Sequence, residues 1–249
     1  ADTPFMEPER AEYLYNFILQ HELHDCLELG FAHGVSSCYI AAALDEMGEG
    51  HLTSVDILAG LEWQHPCIEE MLARVGLERY VTVVREQTSY TWFLKKAIEA
   101  NTVGIVCQPV WDFCYIDGPK NWTIDGCAFF LADKLLRQGG WFLFDDLTWS
   151  YALTQRAVLD GITIRELGED ERNTPQVELV FRLLVMQHPD YGNFHIQDDW
   201  WAWAQKQRAA EKHLLRETTL APPPAPARPL LVRIRRKIKR LLTAALSKA

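Results

Sequence analysis

The sequence predicts an α/β fold: a doubly wound, mostly parallel sheet of seven strands, covered by helices on both faces and ending in an antiparallel hairpin. Three observations lead there. Short apolar β-like runs alternate with stretches of helical period through the first 145 residues. The runs are nearly continuous in apolar character, as strands buried on both faces are. The 249 residues, 48% hydrophobic and 24% charged, have ordinary globular composition and are long enough for one substantial core.

Taken in order, residues 7–23 place Tyr13, Leu14, Phe17 and Ile18 at helical spacing and read as a leading helix. Strands are expected at 26–29, 51–56, 80–84, 113–117 and 141–144, with helices between them at 35–47, 61–75, 90–100 and 123–137. Gly139-Gly140 reads as the stop of the last of these helices. A further helix is expected at 149–159. The runs 162–167 and 177–186 then read as the terminal hairpin, which closes a domain spanning residues 1–190. Residues 191–220 form a helical extension in this reading, with its helix over 198–217. Residues 221–229 (APPPAPARP) form a stiff linker, because proline removes donors and favours polyproline II. Residues 230–249 are a basic tail.

The formal net charge of −9 is unevenly spread. The tail holds seven Lys or Arg side chains and no acid, which leaves 18 basic against 34 acidic side chains over residues 1–229. An acidic body argues against a nucleic-acid partner. The six cysteines (Cys26, Cys38, Cys67, Cys107, Cys114 and Cys127) show no CxxC spacing, which disfavours a zinc ribbon or redox motif. Most lie in apolar runs, where a free thiol packs as a small hydrophobe. The acidic, proline-containing start has no signal-peptide core, and no run approaches the ~20 apolar residues that span a bilayer. The expected compartment is cytoplasmic.

Ligands of an open parallel sheet bind beyond the carboxyl ends of its strands. The loop Glu28-Leu29-Gly30-Phe31-Ala32-His33-Gly34-Val35-Ser36-Ser37 follows directly on the first strand. Its glycines permit a tight turn and close approach of a ligand, and the next helix offers free N–H groups. The spacing is neither GxGxxG nor GxxxxGK[ST]; a GxxxG loop preceded by an acid suits a ligand with an amino-acid part better than a pyrophosphate. A plain strand–helix turn is the alternative. Asp56 ends the second run, where an acid accepts hydrogen bonds from ribose hydroxyls. Loop and acid together point to a nucleoside-containing cofactor; for Asp56 taken alone, a solvated strand-end aspartate is an equal alternative. Asp117 ends the fourth run, and Asp145 and Asp146 end the fifth. On neighbouring strands these carboxylates converge, and a divalent cation such as Mg²⁺, Ca²⁺ or Mn²⁺ would resolve their repulsion. Lys120 would lie close to anything so bound. The alternative has one aspartate capping a helix and the others facing water.

In this order, Glu-x-Gly-x-x-x-Gly, Asp56, Asp-Phe-x-Tyr-Ile-Asp-Gly and Gly-Gly-x-x-x-x-Asp-Asp resemble class I S-adenosylmethionine-dependent O-methyltransferases over roughly residues 20–190. The resemblance implies their Rossmann-like methyltransferase fold. It implies that Glu28, Gly30, Gly34 and Ser36 surround the methionine part of S-adenosylmethionine and that Asp56 holds the ribose. The Gln87-Thr88-Ser89 turn would flank the adenine, and Asp117 would border both cofactor and metal. Within the class, Asp117, Lys120 and Asp145 are similar in spacing to the cation-dependent catechol and caffeoyl-coenzyme A branch. Asp146 stands where that branch has Asn, and resembles the Asp-Asp pair of macrolide sugar O-methyltransferases.

The implied mechanism has Asp117, Asp145 and Asp146 holding a divalent cation, Mg²⁺ foremost, which lowers the pKa of an acceptor hydroxyl on a small molecule or glycan. Lys120, its own pKa depressed, would take the proton. His188 and His195 are rival bases. Trp122 and Trp149 are candidates for an acceptor wall. Trp200, Trp201 and Trp203 either pack the late helix on the body, line the acceptor pocket or form a homodimer contact. A nicotinamide-dependent reductase is disfavoured, because no tyrosine has Lys four residues later. Cation-independent methyl transfer and a non-catalytic, membrane-associated binding module remain as alternatives. In the tail, Leu231, Ile234, Ile238, Leu241, Leu242 and Ala245 fall on one helical face with Arg and Lys on the others. That pattern suits an anionic membrane surface, with docking on the acidic body or a disordered end as alternatives.

Overall fold

The computed structural model describes residues 6–159, 161–208 and 213–217. The linker 221–229 and the tail 230–249 lie outside the described residues. The chain enters through helix α1 (Pro8–Gln20). Strands β1 (Asp25–Leu29), β2 (His51–Ile57), β3 (Val81–Glu86), β4 (Trp111–Ile116) and β5 (Leu136–Phe144) then alternate with helices α2 (Val35–Met47), α3 (Ile68–Val75), α4 (Tyr90–Ala100) and α5 (Trp122–Asp133). Short helices α6 (Glu169–Asn173) and α7 (Gln176–Leu179) follow, α7 running on as a π-helical Val180–Val185. Strands β6 (Tyr191–Gln197), β7 (Trp201–Lys206) and β8 (Leu214–Glu217) complete one eight-stranded sheet, in the order β8-β6-β7-β5-β4-β1-β2-β3.

Strands β3, β2, β1, β4 and β5 run parallel. Strand β7 is antiparallel to both β5 and β6. The register aligns Leu29 with Val55 on one side and with Ile116 on the other, and Ile116 with Phe144. The residues that follow β1, β4 and β5 therefore emerge at one edge, at the point where the strand order reverses.

Helices α1, α2 and α3 pack on one face of the sheet, and α4, α5 and the α7–π segment on the other. The two-residue period of the strands divides the core between them. In β4, Phe113 and Tyr115 face the first layer and Cys114 and Ile116 the second; in β7, Trp201 and Trp203 face the first and Ala202 and Ala204 the second. Side-chain caps define where two of the helices start. Ser89 Oγ accepts from the Thr91 N–H (3.1 Å), and Asn121 Oδ1 accepts from the N–H groups of Thr123 (2.9 Å) and Ile124 (3.1 Å).

The first half follows the expected alternation, except that the helix expected at 61–75 begins only at Ile68, after a 3₁₀ turn at Leu58–Glu62; the second half departs in four places. Gly139 and Gly140 lie inside β5 rather than stopping a helix. The β4–β5 register jumps from Trp111↔Leu136 to Phe113↔Trp141, and Gly139 (φ 86°) supplies the left-handed turn of that bulge. The expected helix at 149–159 reduces to a 3₁₀ turn, Tyr151–Leu153, and Val158–Leu159 pairs with Ile162–Thr163 in a small separate ribbon. The run 177–186 is helical, not a hairpin strand; Val177, Val180, Phe181 and Val185 are buried at helical spacing. The reading of 198–217 as a helix is corrected most fully. Trp201-Ala-Trp-Ala alternates with period two, and the chain there forms β7 and β8. The antiparallel pair is thus β6 and β7, and the sheet extends past residue 190.

The six cysteines are free, with Cys26, Cys38 and Cys114 buried. No helix among the described residues is long and apolar enough to cross a membrane. Trp203 is fully buried, its ring centroid 4.1 Å from Phe17, 5.9 Å from Tyr13 and 6.2 Å from Phe113. Trp203→Ala is expected to lower the unfolding free energy by ~3–5 kcal/mol. A urea titration would show this as a lower midpoint at unchanged slope.

Candidate active site

The loop after β1 closes against the chain leaving β4. Gly30 adopts φ 96°, and a Cβ there would stand 2.3 Å from the Asp117 carbonyl oxygen. Only glycine permits that approach. The Asp117 N–H in turn donates to the Leu29 carbonyl (2.9 Å). Ala32 (φ 46°) and Gly34 (φ 85°) continue the turn, and Gly34 caps α2. Asp56 ties this loop together. Its Oδ2 accepts from the N–H groups of Phe31 (3.2 Å) and Ala32 (3.0 Å) and from Gln64 Nε2 (3.0 Å). Its Oδ1 accepts from the Ile57 N–H (2.7 Å).

Glu28 sits beneath the loop with no solvent exposure. Its Oε1 accepts from the Ser36 hydroxyl and its Oε2 from those of Ser37 and Ser54. Burial pushes its pKa up, and the three serine hydrogen bonds offset only part of that rise. Glu28 and Ser36 thus brace the first turn of α2 from inside, whereas the resemblance has them surrounding a methionine moiety. Gln87 is exposed just past β3, and Ser89 caps α4. Because the folded pKa of Glu28 lies above the unfolded one, its contribution is full below the ordinary glutamate value and is lost as pH rises through the folded value. The stability of the wild type relative to Glu28→Gln should therefore fall between about pH 5 and about pH 8. Urea midpoints of both proteins at the two pH values measure this; an unchanged difference would refute it.

Past the ends of β4 and β5, Lys120 stands between two carboxylates. Its Nζ donates to Asp117 Oδ1 and lies 3.1 Å from Asp146 Oδ2. The Lys120 side chain is only 14% exposed. Both partners of the second pair have left-handed backbones, Lys120 at φ 59° and Asp146 at φ 56°. Each such non-glycine residue costs roughly 1–2 kcal/mol, and persists only where its surroundings hold it. Burial by itself lowers the Lys120 pKa, but Asp117, Asp146 and Asp145 outweigh it and raise it above the ordinary lysine value. The expected base with a depressed pKa is thus a protonated cation and hydrogen-bond donor.

Asp145 is turned inward. Its Oδ1 accepts from Trp201 Nε1–H (2.9 Å) and the Asp146 N–H (2.7 Å), and its Oδ2 accepts from the Tyr115 hydroxyl. Burial raises its pKa, Asp146 adds to the rise, and Lys120 and the Tyr115 bond oppose it. Among the described residues, no group of three or more His, Cys, Asp or Glu side chains is placed to hold a metal ion. The three aspartates converge as expected, but as arranged they do not fit a divalent cation. Lys120 bridges two of them, and the third has both oxygens bonded to protein donors.

The turn that carries Lys120 is itself anchored. Asp125, buried, accepts from the Tyr90 hydroxyl at Oδ1 and from the Asn121 N–H at Oδ2 (2.7 Å). A Cβ on Gly118 would stand 2.2 Å from the Tyr90 oxygen. Opposite it, the Trp149 N–H donates to the Asp146 carbonyl (2.9 Å), and Asn121 Nδ2 donates to the Tyr151 hydroxyl (3.2 Å). Trp122, 38% exposed, and half-buried Trp149 flank these turns.

The structure brings neither histidine to the carboxylates. His188 precedes β6, with its ring against Phe129 (5.9 Å) and Tyr191 (5.2 Å) and its Nδ1 accepting from the Asp190 N–H (3.2 Å). Tyr191 pairs with Lys206, whose Nζ reaches the Leu136 carbonyl (3.2 Å) at the first residue of β5. His188 therefore belongs to the opposite edge of the sheet. His195 pairs with Trp203 within β6, so β7 separates it from β5. Trp201 and Trp203 are core residues, and Trp200 stacks under the Arg10 guanidinium (4.6 Å). Sequence reading missed Tyr115, Trp201, Ser37, Ser54 and Gln64 as partners of the site's acids. Only the period-two placement of Tyr115 before Asp117 offered a signal.

A family model described as a methyltransferase domain matches residues 27–147. No curated protein sequence matches the chain. Among solved structures, an O-methyltransferase of Bacillus cereus in complex with SAH is similar at TM-score 0.57 and 18% identity, covering 81% of this chain and 82% of that one. The O-methyltransferase TomG of Streptomyces achromogenes, involved in tomaymycin synthesis and in complex with SAM, is similar at TM-score 0.57 and 16% identity, covering 81% of each. An SAH-bound methyltransferase of Podospora anserina is similar at TM-score 0.58 and 14% identity, covering 82% of this chain and 80% of that one. Residues 27–147 thus match a methyltransferase-domain model, and the chain has the Rossmann-like fold of these solved structures.

Proposed function

We propose that the protein transfers a methyl group from S-adenosylmethionine to a hydroxyl oxygen of a small molecule or sugar. The observation that carries this reading is the contact between the glycine loop and the charged cluster. Gly30 touches Asp117, so a cofactor cradled at the start of α2 borders the place where Lys120 meets the Asp117 and Asp146 carboxylates. The residues fit such a cofactor chemically. The loop turns through left-handed Gly30, Ala32 and Gly34 to the first-turn N–H groups of α2, and Asp56 at the end of the neighbouring strand holds that loop in shape through the Phe31 and Ala32 N–H groups.

When bound, S-adenosylmethionine supplies the methyl from its sulfonium, and the electron pair of the broken carbon–sulfur bond stays with sulfur. The chain's own residues hold the acceptor and manage its proton. The Lys120 ammonium, hydrogen-bonded to Asp117 and ion-paired with Asp146, turns a further N–H to orient the acceptor oxygen. Asp146 Oδ2 lies 3.1 Å from the Lys120 Nζ, and Asp146 Oδ1 receives the hydroxyl proton as the oxygen–methyl bond forms. Trp122 and Trp149 wall the acceptor side. The rate advantage comes mainly from positioning.

Calorimetric titration with S-adenosylmethionine, followed by transfer of labelled methyl to a panel of catechols and glycosides, tests this. Binding with transfer to oxygen is expected, and absence of binding overturns the reading. Asp146→Asn should lower turnover by ~10²–10⁴-fold while leaving cofactor affinity nearly unchanged.

We also propose that the tail 230–249 docks the enzyme on anionic membranes. Seven basic side chains without an acid support this, each worth up to ~1 kcal/mol near such a surface. The full chain should co-sediment with phosphatidylserine-containing vesicles, and release with salt. Equal sedimentation with neutral phosphatidylcholine vesicles, or none with either, would count against it.

A further inference from the structure

We infer that Lys120 is this site's built-in cation, so that the Asp117–Asp145–Asp146 cluster operates without a divalent metal ion. Three separate features carry this. The ammonium bridges Asp117 Oδ1 and Asp146 Oδ2, and a magnesium ion shared by the same two carboxylates would need their oxygens at about 2.0–2.1 Å, in the space the ammonium holds. Lys120 is also not a surface lysine that has swung inward. Its left-handed backbone belongs to a turn whose Gly118 lies against the Tyr90 hydroxyl and whose Asn121 N–H is bonded to buried Asp125. Finally, Asp145 is committed independently of Lys120. Tyr115 and Trp201, both buried in the sheet, donate to its two oxygens, and the Asp146 N–H donates as well.

Each of the three acids has protein donors without a metal. One ammonium serves the two carboxylates at the open edge, and neutral dipoles serve the buried one. A Lys120 N–H not engaged by Asp117 takes the place of a Lewis acid in holding an acceptor oxygen. That last role rests on the methyltransferase reading above, whereas the exclusion of a divalent ion does not.

The test follows free Mn²⁺ by electron paramagnetic resonance while the full chain is titrated, as wild type, Asp146→Asn and Lys120→Met, with urea midpoints confirming that each variant folds. Wild type and Asp146→Asn should bind Mn²⁺ equally, and Lys120→Met should gain one site. In parallel, chelator should leave wild-type methyl transfer within about twofold of its untreated rate. A Mn²⁺ site in the wild type that Asp146→Asn lacks would overturn the inference. So would a tenfold or greater loss of transfer under chelator that Mg²⁺ restores. If Lys120→Met does not fold, the wild type and Asp146→Asn decide the matter. If no transfer is seen with any acceptor, the Mn²⁺ titrations decide it separately from the proposed activity.

Discussion

The close approach of β1 and β4 is the constraint on which the site depends. Gly30 lies against the Asp117 carbonyl, and no side chain larger than hydrogen fits between them. That contact lies where the strand order reverses, so the helices after β1 and β4 leave toward opposite faces and open a crevice between them. One wall of the crevice is the loop into α2, and the other is the turn into α5. A cofactor held on the first wall necessarily borders the charges on the second.

Those charges form a group of partnered acids rather than an open cage. Each acid near the crevice is met by its own donors: Glu28 by three serines, Asp56 by loop N–H groups and Gln64, Asp145 by Tyr115 and Trp201, and Asp117 and Asp146 by Lys120. Burying a carboxylate without such partners is costly, which is why the sheet supplies hydroxyl and indole donors at depth and an ammonium at the edge. The left-handed backbones of Lys120 and Asp146 are local costs that the surrounding turns hold in place.

Much of the first half of the fold was legible because local and global signals agree there. Helices α2 and α4 have the bounds their apolar period predicts, and β1 to β4 lie within one or two residues of the expected runs. The second half was not legible for identifiable reasons. The ten-residue apolar run at 177–186 is compatible with either a strand or a buried helix by composition alone. Gly139-Gly140 has the chemistry of both a helix stop and a bulge, and only the partner strand distinguishes them. Asp198-Asp199-Trp200 resembles a helix start, while the alternation that follows it belongs to β7.

By itself, the sequence determined the α/β class, the glycine loop, the strand-end acids Asp56, Asp117, Asp145 and Asp146, and the position of Lys120 three residues beyond Asp117. Those features are local: they depend on periodicity, on glycine's conformational range and on distances along one chain segment. Only the tertiary structure decided what each acid does. Glu28 is a buried brace because Ser54 arrives from β2, and Asp145 is closed because Trp201 arrives from β7, 56 residues later. His195 is remote because β7 inserts between it and β5. Partnerships of this kind arise from strand order and register, and these are consequences of packing that no single stretch of sequence encodes.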